Sequence, residues 1–372
     1  MKFRIEKKDL LDLIIPAQAA CSTKATLPAL EGLLLSVTGD TIVISGYDLE
    51  KGVRAEGVIM DGEDGEIILN AQKFVAIIRN MPDNDQIIFI SDDKNNATVS
   101  GGNAEFNIHG IPASAFPTLP ELDNDTSFSI SQRTLKELIT TTIFSVAQND
   151  TRPILTGELL KIEGSNIAVV AIDNCRMAIR HAYNAIINNT ENYSVVVPGK
   201  ALSELVRLLS DSEEQISIEL TRKNIVFKLK NIIMFTRLLE GEFLDFENLI
   251  PKSPKIFMKV PTIALLDSVE RVSLMVDEKL KTPIKCVITD RAIEISCANQ
   301  FGKVVDIVPI EKQGIDLEIG FNNKYIIDAM RFCKSELIDI ELTTALMGMV
   351  IKPAVKDENS DYTYMVLPCR IK

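Results

Sequence analysis

One helical pattern occurs three times in this 372-residue chain, and its spacing narrows the folds available to it. The copies are QKFVAIIRNM (72–81), GKALSELVRLLS (199–210) and NKYIIDAMRFC (323–333). Each holds apolar residues at i, i+3, i+4 and i+7: Phe74, Ile77, Ile78 and Met81; Leu202, Leu205, Val206 and Leu209; Ile326, Ala329, Met330 and Cys333. That spacing lines one face of a helix. An arginine sits five residues past each stripe's first member (Arg79, Arg207, Arg331), and a lysine sits just before it (Lys73, Lys200, Lys324). Leu202 follows Phe74 by 128 residues and Ile326 follows Leu202 by 124. A period this long means a repeated domain, not a solenoid unit.

Other features keep the period. A first helix recurs as KKDLLDLIIPAQAAC (7–21), QRTLKELITTTIFSVA (132–147) and PTIALLDSVERVSLMV (261–276). A strand pair recurs as LEGLLLSVTGDTIVISGYD (30–48) and LTGELLKIEGSNIAVVAID (155–173), ending on Asp48 and Asp173. A worn third copy, IKCVITDRAIEISCAN (284–299), ends on Asn299. Turn residues split each pair into a hairpin: Thr38-Gly39-Asp40, Glu163-Gly164-Ser165 and Thr289-Asp290-Arg291. Strand patterns follow every second helix: 86–93 and 104–110, 215–220 and 224–230, 337–342 and 347–353. The expected fold class is α+β: three repeated domains of antiparallel sheet, with two helices packed on one sheet face in each. Pro-rich polar linkers at 111–126 and 247–255 set the expected domains at 1–125, 126–252 and 253–372.

Composition excludes several classes. At 46% apolar and 25% charged, the chain is ordinary globular protein, and no apolar run approaches the ~20 residues of a membrane span. The first residues, MKFRIEKKDLLDLIIP, offer no signal-peptide cleavage site. The six cysteines form no CxxC pair and several lie in apolar patterns, which points to a reducing cytoplasm. With two histidines, a metal site is not expected. No phosphate loop, dinucleotide fingerprint or nucleophile elbow is present, so no catalytic residue, cofactor or enzymatic role is expected. The acidic runs 61–64 and 210–214 read as solvated loops. A net charge of −12, taken alone, argues against nucleic acid, although where the charge lies matters more than its sum.

With three β-rich repeats in place, the chain resembles the bacterial β sliding clamp family over its full length. The resemblance is carried by MKFRIEKKDLL (1–11), TLPALEGLLL (26–35), IPASAFPTLP (111–120), IDNCRMA (172–178), VPGKALSEL (197–205), IGFNNKYIIDAM (319–330) and YMVLPCRIK (364–372). It implies a DNA clamp fold: a head-to-tail, ring-shaped homodimer of six similar domains, with helices lining the hole, that slides on duplex DNA without catalysis. Sliding needs sequence-blind attraction, which Lys and Arg contacts to phosphate supply. The recurrent cations Lys73, Arg79, Lys200, Arg207, Lys324 and Arg331 lie off the apolar stripes and would face that hole, joined by Arg133, Lys136 and Arg271. A solubilising helix face is the plainer reading of any one of them. The resemblance adds Lys24, Gln148 and Asn149 as DNA contacts. Family aromatics after Arg152 are Pro153 and Ile154 here, which removes stacking surface for single strands.

The resemblance further implies a pocket that takes a short linear peptide from the replicative polymerase, the clamp loader and other partners. Its apolar positions are Leu155, Ile172, Met177, Leu244, Leu249, Tyr325, Leu346, Met365, Leu367 and Pro368, with Gly348 among them. Polar contacts are assigned to Arg152, Asn174, Arg176, Asn322 and Arg370. Cys175, Leu244 and Cys369 replace family histidine, proline and methionine, which suggests altered peptide preference. Leu155, Ile172 and Leu346 read equally well as strand core. Ring closure would join Phe106 and Ile108 on an edge strand to Leu274 and Met275 at a helix end of the other chain, and pairing would protect that edge. An ordinary helix terminus is the alternative for Leu274 and Met275. For the whole chain, the rival functions are a repeat-domain interaction scaffold without a DNA role and an enzyme with its site at a domain junction.

Overall fold

The computed structural model describes residues 1–83, 86–120, 126–189, 191–277 and 282–371. The expected border at 125 and the terminal Lys372 lie outside them. The described helices are α1 (Lys7–Ala19), α2 (Ala71–Asn80), α3 (Gln132–Thr140), α4 (Gly199–Leu208), the single turn α5 (Phe246–Leu249), α6 (Thr262–Ser273) and α7 (Asn323–Arg331). The α5 turn overlaps the start of the expected second linker, and its first residue, Phe246, is buried. The described strands form four sheets, and the pairs within them are antiparallel. The result is a three-domain, sheet-rich α+β fold.

The strands of a repeat do not share one sheet, as the sequence suggested. The chain divides into two compact units, residues 1–132 with 204–238 and residues 133–203 with 239–372, so the central repeat is split. In the first unit an eight-stranded sheet joins Thr126–Ser131, Gln215–Leu220, Asn224–Leu229 and Ile232–Arg237 of the central repeat to Lys51–Val58, Thr41–Tyr47, Gly32–Thr38 and Gly65–Asn70 of the first. The seam pairs Met234 with Val53 and Phe235 with Gly52. A nine-stranded sheet in the second unit has the same plan. There Arg176–Ala182 of the central repeat pairs with Ser360–Val366 of the third, with Met177 opposite Met365. The first repeat keeps a separate five-stranded sheet and the third a separate four-stranded one. Helices with broad apolar faces can bury them between two sheets. In the first repeat, Leu13 of α1 lies against Gly57 of the eight-stranded sheet. Phe74 of α2 meets Phe89 of the five-stranded sheet edge-on, with ring centroids 6.3 Å apart.

The helical stripes are buried, with shifts at their margins. In α2 the buried residues are Ala71, Phe74, Val75 and Ile78, and Ile77 is half-buried. In α4 they are Ala201, Leu202 and Leu205, with Val206 half-buried. In α7 they are Ile326, Ala329 and Met330, while Cys333 lies past the helix end and its thiol bonds the Ala329 carbonyl at 3.4 Å. Asn70 and Asn322 cap α2 and α7, accepting from Lys73 N and Lys324 N at 3.0 Å. Arg79, Arg207 and Arg331 fall in the last turns of their helices, where the carbonyl dipoles favour a cation.

The helix expected over 132–147 stops at Thr140. The Thr141 and Thr142 hydroxyls turn back onto the Glu137 and Leu138 carbonyls, both at 2.8 Å, competing with the helical ladder. A short 3-10 turn, Ile143–Ser145, follows. The recurrent Asp48, Asp173 and Asn299 also gain a reason. Each accepts a backbone N–H two residues on, from Glu50 (3.0 Å), Cys175 (2.7 Å) and Phe301 (2.7 Å), closing the turn into the next strand. Gly39 and Gly164, at φ 57° and 60°, take the left-handed turn conformation that glycine tolerates. No helix among the described residues is long and apolar enough to cross a membrane.

One buried group makes the fold sensitive to pH. Glu158 is fully buried, and its Oε1 pairs with the Thr142 hydroxyl at 2.8 Å while Oε2 has no partner among the described residues. Burial raises its pKa from 4.5 to about 8. A carboxyl raised on folding adds stability that is fully present below its unfolded value and disappears as pH climbs to the folded value. Wild-type stability should therefore fall relative to Glu158→Gln between pH 5 and 8, by about 1 kcal/mol per pH unit. Urea midpoints of the two proteins measured across that range check this, and a pH-independent difference would contradict it.

Candidate functional site

The cations named from the sequence stand where the helix pattern put them. Lys73, Arg79, Lys200, Arg207, Lys324 and Arg331 are exposed, as are Lys24, Gln148 and Asn149 in their loops. Lys136 is half-buried on α3. The six long helices together carry eleven Lys and Arg against seven Asp and Glu, a net +4 in a chain of −12. Three of the arginines already face acids: Arg207 with Glu204 at 3.1 Å, Arg331 with Glu270 at 2.9 Å and Arg271 with Asp306 at 2.6 Å. In the first unit a cavity of about 530 Å³ brings Arg79 and Arg207 onto one surface. Its apolar wall includes Leu11, Ile15 and Leu208.

The positions assigned to the peptide pocket all fall within the second unit and separate into a buried group and an exposed rim. Leu155, Ile172, Met177 and Met365 are buried in one apolar cluster with Val350 and Phe246. They are strand core, and a place at the base of a pocket does not conflict with that. Leu244, Leu249, Leu367 and Leu346 remain exposed, Leu346 by 87%. Gly348 allows a close approach beneath this rim. A Cβ there would lie 2.8 Å from Met365 Cγ and 3.2 Å from Leu367 Cδ2. The terminal segment is anchored by Leu367 N to Cys175 O and Cys369 N to Gly320 O, both at 2.8 Å, leaving Cys369 and Arg370 exposed and Pro368 half-buried.

The two arginines differ in kind. The Arg176 side chain is only 11% exposed. It bonds Asp173 through Nε at 3.0 Å and Asp328 through Nη1 at 2.6 Å. Its guanidinium also stacks over Tyr325 at 4.5 Å and Phe144 at 5.5 Å. It is therefore an internal strut, with its guanidinium already engaged at the position the resemblance assigns to polar peptide contact. Arg152 is 49% exposed, and it bonds Asn174 Oδ1 at 2.7 Å and Asp150 Oδ1 at 3.2 Å. The Arg152 hydrogen bonds hold the Asp150 carboxyl down to a pKa of about 2. Asn322 spends its side-chain oxygen on the α7 cap. Burial, reinforced by Cys175 and Asp173, pushes the Tyr325 hydroxyl above its ordinary pKa.

The strand Ala104–His109 is the outer strand of the five-stranded sheet. Phe106 pairs with buried Val99 and Ile108 with buried Ala97, so both lie on the core face of an open edge. Leu274, just past α6, is 85% exposed, and Met275 is half-buried against the third repeat's core. Sequence reasoning missed the strand Gly302–Pro309, the open edge of the four-stranded sheet, where Val305 and Ile307 are exposed. The β-branched run Val304-Val305-Asp306-Ile307-Val308 after Gly302 was the available signal. The carboxylates Asp150 and Asp328 and the Phe144 ring were missed too, because nothing in a linear pattern ties them to Arg152 or Arg176.

Comparison with known proteins covers the whole chain. Residues 1–120, 129–245 and 247–370 match the N-terminal, central and C-terminal domain families of the DNA polymerase III beta subunit. The Beta sliding clamp of Bacillus subtilis is 32% identical over 381 residues, covering 100% of both chains. That of Staphylococcus epidermidis is 30% identical over 380 residues, covering 100% of this chain and 99% of the relative. Among solved structures, the Bacillus subtilis DNA polymerase sliding clamp superposes with a TM-score of 0.93 at 30% identity, over 100% of each chain. The Pseudomonas aeruginosa DNA polymerase III subunit beta gives 0.93 at 29%, again over 100% of each.

The contrast between the arginines is measurable. Arg176→Ala leaves two half-buried carboxylates without their cation and should cost about 3 kcal/mol. Arg152→Ala removes an exposed contact and should cost less than about 1 kcal/mol. Urea unfolding of both variants at pH 7 decides, and equal costs would show that Arg176 is not the strut described.

Proposed function

The chain belongs to the bacterial DNA polymerase III beta-subunit family, the β sliding clamps, and from that premise we propose that two copies close head to tail into a ring that slides on duplex DNA. Members of this family are non-catalytic scaffolds that serve replication as processivity factors. Placed in the cytoplasm, the ring would tether the replicative polymerase to its template. The observation that carries the reading is charge segregation: helices of net +4 in a chain of −12, with exposed cations recurring in one register in all three repeats. Contacts of this kind bind phosphate without reading sequence, so they hold the duplex without a preferred stopping point. Lys24, Gln148 and Asn149 add contacts from loops. The acidic remainder of the surface would repel DNA outside the hole.

Domains of residues 1–125, 126–252 and 253–372 would give six modules around the ring. The family matches break at 121–128, around the first of these borders, and at 246, six residues before the second. Closure would set the Ala104–His109 edge of one chain beside the Gly302–Pro309 edge of the other. Phe106 and Ile108 would then meet Leu274 and Met275. Two open edges, each with apolar side chains, make a complementary joint that would form twice in the ring. The floor of Leu155, Ile172, Met177 and Met365 under an exposed leucine rim would take apolar and aromatic anchors of a short partner peptide. Arg152, Asn174 and Arg370 stand at that rim for polar contact. Polymerase and clamp loader are the partners of this pocket.

The ring is tested topologically. Clamp loaded on closed circular DNA should stay bound through gel filtration and be lost when the circle is linearised, whereas a scaffold without a DNA role would show no dependence on ends. Reversing Lys24, Lys200 and Arg207 to Glu should shorten retention and flatten the salt dependence, by roughly 0.9 in the log–log slope per lost phosphate contact. Unchanged retention would remove the basic-helix argument. Leu274→Ala with Met275→Ala should shift the solution mass from dimer to monomer, since each side chain contributes about 1.5–3 kcal/mol when buried. A mass that stays dimeric would move the joint elsewhere.

A further inference from the structure

The two seams between repeats are the same device built twice, and only one is open. In the second unit, Leu155 begins the strand pair, Ile172 ends it, and Met177 faces Met365 across the seam, with Val350 opposite Met365 on the next strand. In the first unit the corresponding residues, 125 positions earlier and in the first repeat, are Leu30, Tyr47 and Gly52. Gly52 faces Phe235, and Val226 stands opposite Phe235 on the next strand. The turns match atom for atom. Asp48 accepts from Glu50 N and Lys51 N and pairs with Lys51 Nζ at 2.9 Å, as Asp173 does with Cys175 N, Arg176 N and Arg176 Nε. Each seam also buries its own apolar cluster, Leu30, Tyr47, Val226 and Phe235 in the first unit.

The difference is one side chain's volume moved across the seam. Where Met177 fills its side of the pocket floor, Gly52 has none, and the Phe235 ring lies over it. A Cβ on Gly52 would sit 2.6 Å from Phe235 Cε1 and 3.0 Å from Cε2, inside the ring's own contact distance. Tyr47 packs against that ring with centroids 5.7 Å apart. Outside it, Leu27 and Leu49 are about half exposed, at the positions that correspond to the rim residues Arg152 and Asn174. Leu49 keeps this place at φ 77°, a left-handed conformation unfavourable for leucine.

We propose that the junction of the first and central repeats is a second peptide-type site occupied from within, with Phe235 seated where a partner's aromatic anchor would lie. Phe235 thereby limits each chain to one peptide, and the apolar rim of Leu27 and Leu49 is what an incoming apolar peptide would meet once the ring is removed. The inference rests on the peptide-pocket reading of the other seam. A buried aromatic held by a facing glycine is a stable plug, because swinging it out would expose its face and empty the space above Gly52.

The test counts binding sites. A fluorescein-labelled synthetic hexapeptide ending in Leu-Phe is titrated into the full chain and the stoichiometry read by calorimetry and native mass spectrometry. Wild type should bind one peptide per chain. Phe235→Met, which installs the residue of the open seam and roughly preserves volume, should bind two. Phe235→Leu is the second variant, and melting curves verify that both are folded. A folded variant that still binds one, or a wild type that binds two, overturns the plug. No peptide on wild type with one on Phe235→Met would sink the reading of the Met177–Met365 pocket while upholding the plug. No peptide on either protein would overturn both.

Discussion

Backbone pairing across the repeat boundaries is the interaction on which the rest depends. At each seam a strand that ends one repeat hydrogen-bonds in antiparallel register to a strand of its neighbour, Ile232–Thr236 with Lys51–Ala55 and Arg176–Ala182 with Ser360–Val366. A slip of one residue would turn every side chain of the strand to the opposite face. Met177 and Met365 would then leave the proposed pocket floor, and Phe235 would leave its cluster. The central repeat is consequently not free to fold as a closed module. Half of its strands complete the sheet of each compact unit, which is why contact density divides the chain across that repeat instead of between repeats.

The helix α7 shows how one element can serve two surfaces. Asn322 caps it and Tyr325 lies against the Arg176 guanidinium on the pocket side, whereas Lys324 and Arg331 stand exposed away from the buried stripe. Asp328, on the same helix, is the second carboxylate of the Arg176 strut. The strut fixes the turn at Asp173 and the axis of α7 together. A peptide in the proposed pocket and a duplex in the proposed ring would thus touch adjacent faces of one pinned helix.

The features legible in the sequence are those that recur. Helical periodicity, hairpin glycines and the strand-ending Asp48, Asp173 and Asn299 are local requirements of the backbone, repeated wherever the backbone repeats. The α2, α4 and α7 stripes and most strand limits were readable for that reason. Whether a strand stays in its own repeat's sheet was not, because edge-to-edge pairing leaves no local signature: Ile232–Arg237 looks like any buried strand. The pocket positions came from resemblance, and their energetic roles came only with geometry. Arg176 and Arg152 look equivalent in sequence. Burial, two carboxylates and two rings make the first a strut, and exposure leaves the second at the rim. The early end of α3 was visible in principle in the run Thr140-Thr141-Thr142, whose hydroxyls compete for helix carbonyls.

The acids that accompany the helical arginines fit the proposed sliding role better than bare cations would. Arg207–Glu204, Arg331–Glu270 and Arg271–Asp306 are exposed pairs, and such pairs contribute only about 0–1 kcal/mol. Their carboxylates keep the guanidinium groups from adopting one fixed pose on a phosphate. A passing phosphate competes with a weak intramolecular partner, gains little by binding, and is released at similarly little cost. A face of unopposed arginines would hold each phosphate more tightly and deepen every stopping point along the duplex. Moderate net charge spread over six helices, with exchangeable partners close by, gives attraction that is long in range and shallow in contact, and a ring needs both in order to hold DNA and still move.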